Sequence, residues 1–163
     1  MFRTTIRAAL AATLLMTTAY AKDAPTIKAV EVTADIAAIE NPMAAKYWAT
    51  LTDDLQNAIL SRITNQISDD GANLSVDISE VELSNSFQEV LNVADTKLVG
   101  QVKVTSETDN TRFNTYELTV NVDQVAMLMP KGTDMAALTQ DSREYYDAMI
   151  NAFADGVVAR LDQ

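Results

Sequence analysis

From residue 28 the chain reads KAVEVTADI, which places Val30, Val32, Ala34 and Ile36 on one side and Glu31, Thr33 and Asp35 on the other. A period of two predicts a strand buried on one face. The pattern then changes period. Asn41-Pro42 offers a capping side chain followed by a proline suited to the first helical position. Beyond it Tyr47, Trp48, Leu51, Leu55, Ala58, Ile59 and Ile63 recur at intervals of three and four, while Lys46, Asp53, Asn57 and Ser61 fall elsewhere. This spacing predicts one amphipathic helix running to about Ile67, ended by Asp69-Asp70-Gly71, where Gly71 is able to take positive φ.

Alternation then returns three times. LSVDISEVELS (74–84) carries Leu74, Val76 and Ile78 in phase, then slips to Val81 and Leu83, which predicts a bulge near Ser79-Glu80. KLVGQVKVTS (97–106) sets Leu98, Gly100, Val102 and Val104 on one face. NTYELTVNVDQVAMLM (114–129) sets Tyr116, Leu118, Val120 and Val122 in phase, then flips to Val125, Met127 and Met129. Two phase changes suggest a sharply bent sheet, and Pro130-Lys131-Gly132 is the expected turn after it. The last segment, DSREYYDAMINAFADGVVARL (141–161), has Asp141 as its expected cap with Glu144 three residues on, and Tyr145, Met149, Ala152, Phe153, Val157 and Leu161 at helical spacing. The predicted order is β-α-β-β-β-α. Two helices on one face of a four-stranded, mostly antiparallel sheet bury every apolar stripe, so an α+β two-layer sandwich is expected. The other sheet face, with Lys103, Glu117, Thr119 and Asn121, is left to solvent or a partner.

The first 21 residues break from this pattern. Arg3 and Arg7 precede or flank a short apolar run, AALAATLLM (8–16), and Ala19-Tyr20-Ala21 supplies a small-x-small cleavage sequence. This predicts a signal peptide at 1–21, cleaved to leave one domain at 22–163 in the periplasm or outside the cell. The apolar run is about half the roughly 20 residues a membrane span needs, so no stable anchor is expected after cleavage. No cysteine follows for acylation, and the lack of an RR pair argues against export in the folded state.

Composition narrows the chemistry. Twelve Lys and Arg against 23 Asp and Glu give a formal charge of −11, made more negative still by loss of Arg3 and Arg7. Phosphate backbones and anionic headgroups need clustered cations, so nucleic acid is not an expected partner. The chain has no His and no Cys, which removes Ser-His-Asp and Cys-His relays and the usual zinc, haem and cluster ligands. Four glycines, at 71, 100, 132 and 156, cannot assemble a P-loop or a GxGxxG fingerprint.

The remaining polar clusters each have a simpler structural role. TSETDNTRFN (105–114) gathers Glu107, Asp109 and Asn110, oxygen donors in the manner of a calcium loop, but lacks the central glycine and the bidentate Glu at position twelve. A hairpin tip is expected there. Glu80 and Glu82, on one face of a predicted strand, could pair as glycosidase acids, yet such a spacing ordinarily just faces water. For the Tyr47-Trp48 and Tyr145-Tyr146 pairs, one ring of each is expected in the core and the other at its edge. Met127-Leu128-Met129 is expected as sheet core or edge. The Asn73 sequon, inside a strand, is read as chance. No catalytic, cofactor-binding or metal residue is assigned.

The stretches NPMAAKYWATL (41–51), VTSETDN (104–110) and YYDAMINAFADGVVARL (145–161) resemble those of an uncharacterised family of small secreted proteins of Gram-negative bacteria. The element order is also similar to that of the amino-terminal domain of the Tol-Pal periplasmic protein TolB and related envelope accessory domains. The second resemblance is one of topology and carries over no residues. It implies a non-enzymatic protein-binding or assembly role. With the missing catalytic residue types, the acidic charge and the predicted export, the chain is expected to be a non-catalytic interaction module that binds another envelope or secreted protein. The alternative expectation is a small-ligand carrier, with a pocket between helix and sheet near Trp48.

Overall fold

The structure, a computed structural model, describes residues 25–79, 82–83, 97–107, 113–133 and 142–161. The expected signal peptide and its cleavage point before Lys22 lie outside the described residues, as do Glu80, Asp109, Asn110 and Asp141. Four strands form one sheet in the order β1-β2-β3-β4: β1 is Ile27–Thr33, β2 Ala72–Ile78, β3 Lys97–Thr105 and β4 Asn114–Asn121. β1 and β2 run parallel, whereas β2-β3 and β3-β4 are antiparallel. The α+β class and the mostly antiparallel sheet are as the alternation predicts.

Register brings the inward residues into rows. Val32, Val76, Val102 and Tyr116 are consecutive partners across the four strands. Ile78, Gly100 and Leu118 form the next row, and Leu98 faces Val120. Their alternate neighbours Glu31, Asp77, Gln101, Lys103, Glu117 and Thr119 are exposed. Because side chains alternate faces along a strand, one sheet face is buried and the other is wet. Gly100 leaves room on the inner face for Phe153, since a Cβ there would stand 2.9 Å from the Phe153 ring.

The first predicted helix is two. Asn41 caps α1 (Pro42–Tyr47), its side chain accepting from the N–H groups of Met43 and Ala44 at 2.9 and 3.3 Å, and α2 follows over Leu51–Arg62. Between them a turn is closed by the Leu51 N–H donating to the Trp48 carbonyl at 3.0 Å. Successive residues of an unbroken helix diverge by about 100°. The break allows Tyr47 and Trp48 both to reach Tyr146, with ring centroids 5.4 and 5.7 Å away. α2 also stops earlier than the stripe predicts, giving way to a 3-10 turn at Thr64–Gln66 and a bridge from Ile67 to Ile27.

Both expected phase slips in the sheet are corrected. β2 ends at Ile78, and Glu82-Leu83 lie in a helical turn whose Leu83 N–H donates to the Ser79 carbonyl at 3.1 Å. No bulge is needed to bury Leu83, since the chain has left the sheet. β4 likewise ends at Asn121, which caps α3 (Val122–Leu128) through a reciprocal pair: its side chain accepts from the Gln124 N–H at 3.2 Å, and the Gln124 side chain accepts from the Asn121 N–H at 2.9 Å. The flip from Val122 to Val125 is therefore a change from strand to helical period. Pro130 and Thr133 close the expected turn with Gly132 at φ 92°.

The last helix, α4, spans Arg143–Leu161. Ser142 supplies its cap, accepting from the Tyr145 N–H at 3.1 Å. Tyr145 and Tyr146 are both buried, so neither ring sits at the edge. α2 and α4 pack against each other, α2 over β1 and α4 over β3 and β4. One contiguous apolar core, from Ile27 to Leu161, fills the space between the two layers.

Candidate functional site

Three features of the described residues bear on function: a polar network at the start of α2, the outer edge of β4, and two surface clefts. The network forms where α2 and α4 meet. Asp54 lies in the first turn of α2, and its carboxylate accepts from the hydroxyls of Thr50 and Tyr146, both at 2.7 Å. Arg143 stands 4.0 Å from the same carboxylate, with its guanidinium 4.7 Å from the Tyr146 ring centroid. Burial pushes the Asp54 carboxyl up, but the hydrogen bonds from Thr50 and Tyr146 and the charge of Arg143 outweigh it, and the group titrates below its ordinary 3.8. Burial first, and the adjacent Asp54 charge with it, hold the Tyr146 phenol well above its ordinary 10. A phenol so fixed donates a hydrogen bond and does not ionise near neutrality. The network is a tie between helices.

That tie has a pH signature. A carboxyl whose pKa is lower folded than unfolded stabilises the fold above its unfolded pKa, and the contribution is lost as pH falls through the folded value. The stability gap between the native chain and Asp54→Asn should be constant above about pH 5 and shrink toward about pH 3. Urea midpoints of both proteins across that range provide the measurement; a gap that widens on acidification would contradict the assignment.

The β4 edge follows from the ladder. The Ser79 N–H donates to the Val99 carbonyl at 2.9 Å, so Val99 directs its backbone toward β2 and Gly100 directs its own toward Leu118 of β4. Thr115, Glu117, Thr119 and Asn121 accordingly point their backbone groups outward. Two are occupied: the Glu117 carbonyl accepts from Arg160 at 3.2 Å, and the Asn121 N–H is held by Gln124. Arg160 also lies 4.6 Å from the Tyr116 ring centroid. Among the described residues no strand pairs with the remaining groups at Thr115 and Thr119. The side chains around them, Thr115, Glu117 and Thr119, are exposed.

The two clefts differ in character. One, of about 340 Å³, lies on the outer sheet face and is lined by polar groups that include Asp77, Gln101, Glu117 and the Lys97–Glu82 ion pair at 3.1 Å. The other, of about 420 Å³, runs between the end of α3 and the first half of α4. Neither is lined by Trp48, whose indole is fully buried against Tyr47 at 4.7 Å between centroids.

The residues singled out from the sequence are scattered. Glu82 sits past the end of β2 in a helical turn and is bound to Lys97, so it is not on the strand face expected for it, and Glu80 lies outside the described residues. Glu107 follows β3 and pairs with Lys28 of β1 at 3.6 Å. The antiparallel β3-β4 pairing makes the stretch from Thr105 to Asn114 the connection of a hairpin, and among the described residues no group of three acidic side chains could hold a metal ion. Met127 and Leu128 belong to α3, not to the sheet, and are 81% and 46% exposed. The signal for that correction was in the sequence: Asn121 and Gln124 have the spacing of a capping pair. Among the described residues no helix is long and apolar enough to cross a membrane. Compared with known proteins, the chain matches no family, no curated sequence and no solved structure.

Proposed function

We propose that this chain is an exported, non-catalytic interaction module that binds another protein of the envelope or a secreted one. The observation that carries this reading is the outer edge of β4, where backbone groups at Thr115 and Thr119 have no strand neighbour among the described residues. An extended segment can add to such an edge through main-chain hydrogen bonds, with side-chain contacts setting the choice of partner. Thr115, Glu117 and Thr119 beside the edge favour a partner with β-branched or basic side chains. The carrier alternative needs space beneath Trp48, and that residue lines neither of the two surface clefts.

A proline at position 119 tests the edge. Thr119 is exposed and its N–H points away from β3, so Thr119→Pro removes an outward donor without breaking the native ladder. In-cell crosslinking from a photoreactive residue at Thr115, read by mass spectrometry, should give a heterologous partner in the native chain and in Thr119→Ala, and lose it in Thr119→Pro. Equal crosslinking in all three would remove the edge from the reading. Self-crosslinks alone, with a small molecule retained in native mass spectra, would replace the module with the carrier.

A further inference from the structure

The cleft between α3 and α4 has two unlike walls. Leu128, Met129 and Pro130 line it from the end of α3 and the turn that follows, and Ala148 adds to the apolar lining from α4. Glu144 and Asp147 line it from the first turns of α4. Next to Leu128 in the chain, Met127 is 81% exposed, so two consecutive large apolar side chains, Met127 and Leu128, are exposed at the end of α3. Arg62 closes part of the cleft, but its guanidinium is already committed to Asp155 at 2.6 Å and to the Asn151 side chain at 2.9 Å. Asp147 is paired with Arg143 at 2.9 Å, whereas Glu144 has no ion-pair partner among the described residues. The lining therefore holds three carboxylates against one guanidinium, on a chain of formal charge −11.

We propose that this cleft docks a segment of a partner protein in which a basic residue stands beside an apolar anchor. The apolar side chain would enter between Met129 and Ala148, where it removes carbon surface from water. The cation would lie against Glu144, whose charge is not otherwise neutralised locally. Charge complementarity selects this occupant, since an acidic or phosphorylated segment would meet like charge both at the cleft and across the surface. Methionine suits the apolar wall because its unbranched, polarisable side chain repacks around anchors of different shape. The proposal rests on the interaction-module reading and assigns that reading a second, separate contact surface.

The test uses the chain from residue 22 onward and two synthetic probes, a Leu-Lys repeat peptide and its Leu-Glu counterpart, followed by amide shifts in NMR spectra. Saturable binding of the Leu-Lys peptide is expected, with shifts concentrated at 127–130 and 144–151 and an affinity at least tenfold above that of the Leu-Glu peptide. Glu144→Lys and Met127→Asp should each weaken it tenfold or more. Both positions are exposed, so their spectra should otherwise keep the native dispersion. Absence of saturable binding, equal binding of the two peptides, or shifts centred on β4 would each overturn the proposal. If it is overturned while in-cell crosslinks from Thr115 persist, the cleft is discarded and the interaction module stands; if those crosslinks are also absent, both fall.

Discussion

Trp48→Ala should be the most damaging truncation of the core, lowering the free energy of unfolding by about 3 to 5 kcal/mol. The indole is fully buried, lies edge-on to Tyr47 and is tilted against Tyr146. Its removal deletes the packing surface on which α1, the turn before α2 and α4 converge. The Trp48 Nε1–H has no hydrogen-bond partner among the described residues, so no polar bond is lost with it. The cost comes from lost burial and the cavity left behind. Asp53→Ala is the matched control: Asp53 is exposed in the first turn of α2, where a carboxylate contributes only through the helix dipole, worth about 0.3 to 1 kcal/mol. Urea unfolding of the two variants should give well-separated midpoints. Coincident midpoints would mean that Trp48 is not a core residue.

Gly71→Ala should be nearly as costly, at about 3 kcal/mol, the upper end of what overpacking usually produces. A Cβ at this position would stand 2.5 Å from the Lys28 nitrogen and 2.7 Å from the Ile27 nitrogen, and closer still to the Ile27 carbonyl carbon. These are backbone atoms at the start of β1, which cannot swing aside as the end of a side chain can. The Ala72 N–H donates to the Thr26 carbonyl at 2.8 Å and the Ser68 N–H to the Ile27 carbonyl at 2.9 Å, so the methyl group would push apart the point where β2 begins to pair with β1. Gly132→Ala makes an informative contrast. Gly132 has φ of 92° but no atom within 4 Å of an added Cβ, so its penalty would be one of backbone conformation alone. Thermal unfolding of both variants measures the two effects, and a Gly71→Ala protein as stable as the native chain would show that β1 does not approach this closely.

Gly71 also marks a limit of reading the chain linearly. Its position after Asp69-Asp70 suggests a helix end at positive φ, yet its φ is not positive and α2 has already ended at Arg62. The need for glycine comes from a strand more than 40 positions earlier in the chain, and nothing local to residue 71 encodes that neighbour. The phase slips failed for a different reason. A strand that changes face and a strand that becomes a helix both move the next apolar residue by one place, so Val81 and Val125 cannot by themselves distinguish the two. At Asn121 the capping pair with Gln124 does distinguish them, because it satisfies free N–H groups at a helix start.

Local periodicity is enough to fix the layers. Alternation assigned Val30, Val32, Leu74, Val76, Leu98, Val102, Leu118 and Val120 to a buried sheet face, and helical spacing assigned Leu55, Ile59, Met149, Phe153 and Val157 to the helices that cover it. These assignments hold because a strand and a helix each fix the direction of every side chain from local geometry alone. Long-range packing sets what faces outward at the ends and edges: β4 is the last strand of the sheet among the described residues, Asp54 meets Tyr146, and α3 and α4 leave a cleft between an apolar and an acidic wall. Strand order and helix contacts join residues far apart in the chain, through pairings whose partners no periodicity specifies. The candidate surfaces lie where those pairings end.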